Sequence, residues 1–270
     1  MIRKLTAEDN EKVMALVTPK ASINLFIIGD IEMYGYEEDF QEIWGDFEND
    51  NLRGILLRYY NDFVIYGEKG YDAKGFVEII EGFENHDCLN GELEVLQFVK
   101  PYLKNKYKVK ELYFAECTKD TLKLSENKEL IEKVKCAKPE DTKILAELMC
   151  SIEEFTVRDT EEETERMAKK IRDKAGRVYF IEDAENTEKV LSMSASTAEN
   201  SKSAMIVGVC THKEHRNKGY TTAIMSSMLE DLFKEKETVC LFYDNPKAGT
   251  IYKRSGFYDI GMYTMLNKEK

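Results

Sequence analysis

The chain has 270 residues and a formal net charge of −12, long enough for one large domain or two small ones with real cores. With no basic face it does not read as a nucleic-acid binder, and no apolar run approaches the roughly 20 residues of a membrane span. Six cysteines without a C-x-x-C pair argue against a zinc site or disulfide scaffold and for reduced thiols in the cytoplasm.

The start, Met1-Ile2-Arg3-Lys4-Leu5-Thr6, lacks the apolar core of a signal peptide. Ile2–Asp9 then reads as a short strand, a polar corner and a helix carrying Val13, Leu16 and Val17. Leu25–Ile28, Gly54–Arg58 and Phe63–Tyr66 read as strands. Phe76–Phe83 and Leu93–Leu103 read as helices, and Leu112–Cys117 as a buried strand. Charge is uneven: residues 1–130 carry −10, and residues 31–50 alone −8. Such an acidic segment suits cationic partners, although a solvated face is the commoner use.

Thr118–Lys128 is polar and reads as a connection. Past it the opening pattern recurs. Val134–Asp141 aligns with Ile2–Asp9 at an offset of 132 residues and leads into Ile144, Leu145 and Leu148. An offset of nearly half the chain indicates two copies of one fold, spanning residues 1–125 and 131–270. In the second copy, Glu161–Lys174 is a charged helix, Val178–Glu182 and Val190–Ser196 alternate as strands, and Ala204–Thr211 is a central strand. Gly219–Lys234 is helical, with Ala223, Ile224, Met228, Leu232 and Phe233 on its buried side. Val239–Tyr243, a helix over Pro246–Ser255 and Tyr258–Leu266 follow. This order belongs to an α/β or α+β layer fold.

Chemistry concentrates in one stretch. After Val209-Cys210-Thr211 comes Arg216-Asn217-Lys218-Gly219-Tyr220-Thr221, and residues 212–218 carry +2 on an acidic protein. A strand end that turns into a helix N-terminus converges N–H groups on one point and suits a phosphate. Gly219 lets backbone approach an anion closely. Asn245-Pro246-Lys247-Ala248, Ile251-Tyr252 and Gly256-Phe257 follow. Asn245 is also placed to cap its helix. His212 and His215 lie in a charged turn and read as solvated, and Cys210 reads as strand filler.

Together these motifs resemble the coenzyme A site of the GNAT superfamily of N-acetyltransferases, over residues about 131–267. The first signature is written Arg/Gln-x-x-Gly-x-Gly/Ala; Arg216, Gly219 and Thr221 stand at those places, so the last departs from the pattern. Asn245-x-x-Ala248-x-x-Ile251-Tyr252-x-x-x-Gly256-Phe257 is similar to the second. The likeness is to the branch that includes glycine N-acyltransferases, which carries an extra N-terminal GNAT-like domain. It implies a tandem α/β (α+β) fold, each copy a mixed, mostly antiparallel central sheet flanked by helices. It implies acetyl-CoA as cosubstrate, with no metal. Backbone of Val209, Cys210 and Thr211 would meet the pantetheine arm. Arg216, Asn217, Lys218, Gly219, Tyr220 and Thr221 would hold the pyrophosphate, Asn245 would touch the coenzyme, and Tyr252 would protonate the departing thiolate.

The acceptor would be a small-molecule or peptide amine. The strand over Ala204–Thr211 has no carboxylate, which leaves Glu199, Asp244 or a water chain as base. Residues 1–125 show no Arg-x-x-Gly turn, so that copy would have lost coenzyme binding. Two other readings stay open: transfer of a larger acyl group, and a coenzyme-binding module without turnover.

Overall fold

The computed structural model describes residues 1–155 and 159–269; residues 156–158 and 270, inside the predicted second domain, lie outside the described ones. In chain order the elements are β1 (Ile2–Lys4), α1 (Asn10–Val17), α2 (Leu25–Tyr34), β2 (Gln41–Glu48), β3 (Asn51–Tyr59), β4 (Asp62–Gly67), α3 (Ala73–Glu81), β5 (Cys88–Glu92), α4 (Leu93–Val99), β6 (Tyr107–Thr118), α5 (Lys128–Ile131), β7 (Lys135–Cys136), α6 (Thr142–Ser151), α7 (Thr160–Arg172), β8 (Val178–Glu182), β9 (Val190–Thr197), β10 (Ser203–Thr211), α8 (Tyr220–Leu232), β11 (Thr238–Tyr243), α9 (Pro246–Arg254) and β12 (Tyr258–Lys268). They form two compact units. The first takes Met1–Ala115, Phe242–Asp244 and the chain from Asp259 onward; the second takes Glu116–Leu241 and Asn245–Tyr258.

In the first unit the strands run β1-β2-β3-β4-β5-β12-β6. Neighbours through β4 are antiparallel, β4 and β5 are parallel, and β5 and β12 antiparallel. Asn49 and Asp50, at φ 50° and 68°, make the tight turn between β2 and β3, since a right-twisted hairpin needs left-handed turn residues. Leu5, Val13, Ile28, Ile43 and Ile55 fill one core, under α1 and α2; Phe63, Phe76, Ile80, Leu89 and Leu96 fill another, under α3 and α4.

The second unit repeats the scheme. β7, β8, β9 and β10 are antiparallel in turn, and β10 and β11 parallel. Each parallel pair is joined by a strand–turn–helix crossover: β4–α3–β5 and β10–α8–β11. The opening corner recurs too. Asp9 accepts from the Thr6 N–H at 3.1 Å, and Asp141 accepts from the Lys138 N–H at 2.8 Å, at the predicted offset. Each unit is thus a mixed, mostly antiparallel sheet flanked by helices, as expected. Ala223, Ile224, Met228, Leu232 and Phe233 are buried, as the helical spacing of the 219–234 segment predicts.

One predicted element is corrected. Leu25–Ile28 is not a strand; it opens α2, which buries Leu25, Ile27, Ile28 and Ile31 and ends at Gly35 (φ 69°). A short apolar run suits a buried strand or a buried helix equally, and the added turn to Ile31 decided it. β2 breaks the apolar pattern of a buried strand, since Gln41 and Asp46 are buried within it. Gln41 is spent on the Gly35 carbonyl (2.7 Å), and Asp46 on Arg53 (3.0 Å) and the N-terminal amine (3.2 Å). Of the eight acids in residues 31–50 only Asp46 is buried; Glu42 is half-buried and pairs with Lys4 and Arg58, and the other six are exposed, so the segment is mainly a solvated face. No helix among the described residues is long and apolar enough to cross a membrane.

Candidate active site

The site is built where β10 stops being an ordinary strand. β10 pairs with β11 from Ser203↔Thr238 to Ile206↔Leu241. Its register against β9 then slips by one residue between Val207 and Cys210, a bulge housing Gly208 at φ +61°. An extra residue bends the strand and ends its pairing. Val207 and Val209 are left exposed and half-exposed beyond the last β11 pair, an edge that can accept an extended ligand as a strand would. Cys210 faces the opposite way, into the core with Met193 and Val178. Burial pushes its thiol up to about 12, so it is protonated filler and no nucleophile.

Beyond Thr211 the chain makes a short 3-10 turn, Lys213–His215. Asn217 and Gly219 then take left-handed conformations, φ 64° and 85°, before α8 begins. Left-handed residues in a turn of this kind can bring N–H groups to one side, as in an anion nest. The first N–H groups of the 13-residue α8 have no carbonyl within the helix to meet. Thr211, His215, Asn217, Lys218, Gly219, Tyr220, Thr221, Thr222, Ile251 and Arg254 line a cavity of about 430 Å³ there. Its fixed charges are cationic, from Lys218 and Arg254. A Cβ on Gly219 would come to 3.3 Å from Leu130.

Six predicted residues meet at this cavity: Thr211, Asn217, Lys218, Gly219, Tyr220 and Thr221. Val209, Cys210, Arg216, Asn245 and Tyr252 stand outside its lining. Arg216 closes the turn from behind: Nε donates to the Thr211 carbonyl at 3.2 Å, and the guanidinium pairs with Glu154 at 3.1 Å. Asn245 caps α9 by accepting from the Lys247 N–H at 2.9 Å. Tyr252 is buried on α9 with its ring edge-on to Phe257 at 6.3 Å. Gly256, at φ +101°, lies so near the chain that a Cβ would be 2.0 Å from the Thr121 carbonyl oxygen. The Gly-Phe pair is thus a backbone contact with a ring behind it.

Thr221, the departure from the family pattern, has a structural use. Its hydroxyl meets that of Thr211 at 2.9 Å, Thr211 meets Ser192 at 2.8 Å, and Ser192 donates to the Cys210 carbonyl at 2.9 Å. This chain fastens the end of β10 to the first turn of α8. Sequence reasoning did not single out Ser192 or Glu154; both act through partners remote in sequence, and no local pattern marks them. Of the considered bases, Glu199 is committed elsewhere: it accepts from Ser196 at 2.5 Å and pairs with Arg177 at 3.2 Å.

The first unit carries the same crossover with a different turn, Glu68–Asp72. There the carboxylate of Asp72 caps α3, accepting from the Gly75 N–H at 2.9 Å, while the Asp72 N–H donates to Asp46 at 2.9 Å. The Tyr71 ring fills the space over Gly67, where a Cβ would come to 2.5 Å, and its hydroxyl donates to the Val95 carbonyl at 2.8 Å. Side-chain carboxylates occupy the place at which the second unit exposes N–H groups, and they repel an anion.

Residues 134–260 match the sequence model of the family described as Acetyltransferase (GNAT) domain. No curated protein matches the chain. Among solved structures, a Drosophila protein is similar with TM-score 0.69 at 11% identity, over 98% of both chains. A GCN5-related N-acetyltransferase from Sphaerobacter thermophilus has TM-score 0.62 at 13% identity, over 100% of this chain and 95% of that one. A tandem GNAT protein from the clavulanic acid biosynthesis pathway has TM-score 0.60 at 12% identity, over 98% of this chain and 97% of that one.

Proposed function

We propose that this chain, with its acetyltransferase (GNAT) match over residues 134–260, transfers an acetyl group from acetyl-CoA to a primary amine. The coenzyme pyrophosphate sits on the α8 N-terminus, held by N–H groups of the Arg216–Thr221 turn and by Lys218 and Arg254. The pantetheine arm runs along Val209–Thr211, and Asn245 contacts the coenzyme. The neutral amine attacks the thioester carbonyl directly, and Tyr252 gives its phenolic proton to the departing thiolate. The first unit, its turn filled by Asp72 and Tyr71, does not hold acetyl-CoA. Acceptors are small or peptide amines, and the protein works in the cytoplasm. The glycine N-acyltransferase-like branch assignment rests on the same two motifs.

The observation that carries this reading is the cationic cavity of about 430 Å³ at a left-handed Gly219 beginning a long helix, beside a strand that has shed its partner. Acetyl-CoA at about 100 times its Kd should stabilise the fold by about 2.7 kcal/mol, read as a rise in Tm. Gly219→Glu puts a carboxylate at the phosphate and should abolish that rise. Tyr252→Phe should lower kcat by about 10²-fold with little change in coenzyme affinity. A wild-type protein whose Tm ignores millimolar acetyl-CoA refutes the reading; binding without turnover of any amine favours a coenzyme-binding module.

A further inference from the structure

The second face of α2, away from its core stripe, carries Phe26, Asp30 and Tyr34 at successive four-residue steps, and all three are half-buried. Residues four apart share a helix face. Phe26 lies 6.3 Å, ring to ring, from both Phe242 and Tyr263, which stack on each other at 4.6 Å. Tyr34 packs on Tyr59 at 5.6 Å and Phe40 at 5.2 Å. Asp30 therefore stands between two aromatic groups, all within the first unit.

Its carboxylate has no hydrogen-bond or ion-pair partner among the described residues; only its backbone carbonyl is used, accepting from Gln41 at 3.3 Å. By contrast Glu42, Asp46, Glu48 and Asp50 pair with cations. The Tyr263 hydroxyl is buried with no partner either; burial raises its phenol, with smaller contributions from Cys88 and Asp30. A buried hydroxyl left unpaired is costly and marks a place where a further polar group belongs. An anion, aromatic faces and an orphan hydroxyl are complementary to one ligand type. An organic ammonium ion offers charge to the carboxylate, N–H donors to hydroxyl oxygens and a C–H surface to the rings.

We propose that the Phe26–Asp30–Tyr34 face of α2, with Tyr59, Phe242 and Tyr263, is a binding site for a small organic ammonium ion. The test omits acetyl-CoA, so its failure and the failure of the transfer reading are distinguishable. The full chain is titrated by calorimetry at about pH 8.5, where the Asp30 carboxyl is ionised, with n-butylammonium and tetramethylammonium chloride, against sodium chloride at matched ionic strength. Saturable binding of the organic cations is expected, absent for sodium, and weakened about 10-fold by Asp30→Asn and by Phe26→Leu. Asp30→Asn keeps the side-chain shape and removes a buried charge, so it is expected to fold; Phe26→Leu leaves the carboxylate intact and tests the aromatic half separately. No binding by wild type up to about 50 mM, equal response to sodium, or wild-type affinity in both variants overturns the proposal.

Discussion

Asp30 should make the protein less stable as pH rises, and replacing it should remove that loss. Burial holds its carboxyl at about 7, against the ordinary 3.8, with no cation to offset the desolvation. The folded state therefore binds a proton that the unfolded state releases near pH 4. Between these two values each pH unit costs the folded state about 1.4 kcal/mol. The stability is fully present below pH 4, falls as pH rises, and levels off above about 7. The whole loss is on the order of 4 kcal/mol. Asp30→Asn keeps the shape and cannot ionise, so it should be more stable than wild type. The gap should widen by about 2 kcal/mol between about pH 5.5 and pH 8.5. Urea melts of both proteins across that range measure it. A gap that does not change with pH, or wild type the more stable at pH 8.5, would show that Asp30 has a cationic partner or lies in water, and the reasoning would fail.

Gly256→Ala should cost about 3 kcal/mol or more, seen as a lower urea midpoint, because it adds a positive-φ penalty to a Cβ 2.0 Å from the Thr121 oxygen. Thr221→Ala installs a residue that the family pattern allows and breaks the hydroxyl chain through Thr211. It should lower stability by about 1 kcal/mol while coenzyme affinity stays within about threefold; loss of binding would mean that the hydroxyl itself holds the ligand. Cys136 is exposed, whereas Cys88, Cys117, Cys210 and Cys240 are buried, and burial pushes Cys88 up to about 12. Ellman's reagent should therefore modify Cys136 first and the buried four only on unfolding. Rapid labelling of Cys210 in the native protein would contradict the packing of β10.

Much of the second unit was legible in sequence because its signals are local. A charged turn with Gly219, then Asn245-Pro246 at a helix start and Gly256-Phe257 at its end, are decided by neighbours a few residues away, through left-handed φ, capping and backbone approach. The repeat was legible for the same reason: Asp9 and Asp141 each cap a corner three residues back. Alternation and helical spacing placed Val178–Glu182, Val190–Ser196 and the buried side of α8.

Tertiary structure decided the rest. Leu25–Ile28 is helical because Ile31 extends its stripe onto the core shared with Val13 and Ile43, and no rule applied to four apolar residues separates that from a strand. β2 hid behind Gln41 and Asp46, whose burial is tolerable only through bonds to Gly35, Arg53 and Met1. The hydroxyl chain through Ser192, Thr211 and Thr221 joins residues from two strands and a helix. The composition of the first half showed a surplus of acid but not that Asp30 is half-buried with no cation beside it among the described residues. Whether a carboxylate meets a cation depends on which strands lie beside it. Glu42 and Asp46 sit across from Lys4, Arg58 and Arg53, while Asp30 lies half-buried on a helix face between Phe26 and Tyr34, so burial with no offsetting cation sets its carboxyl.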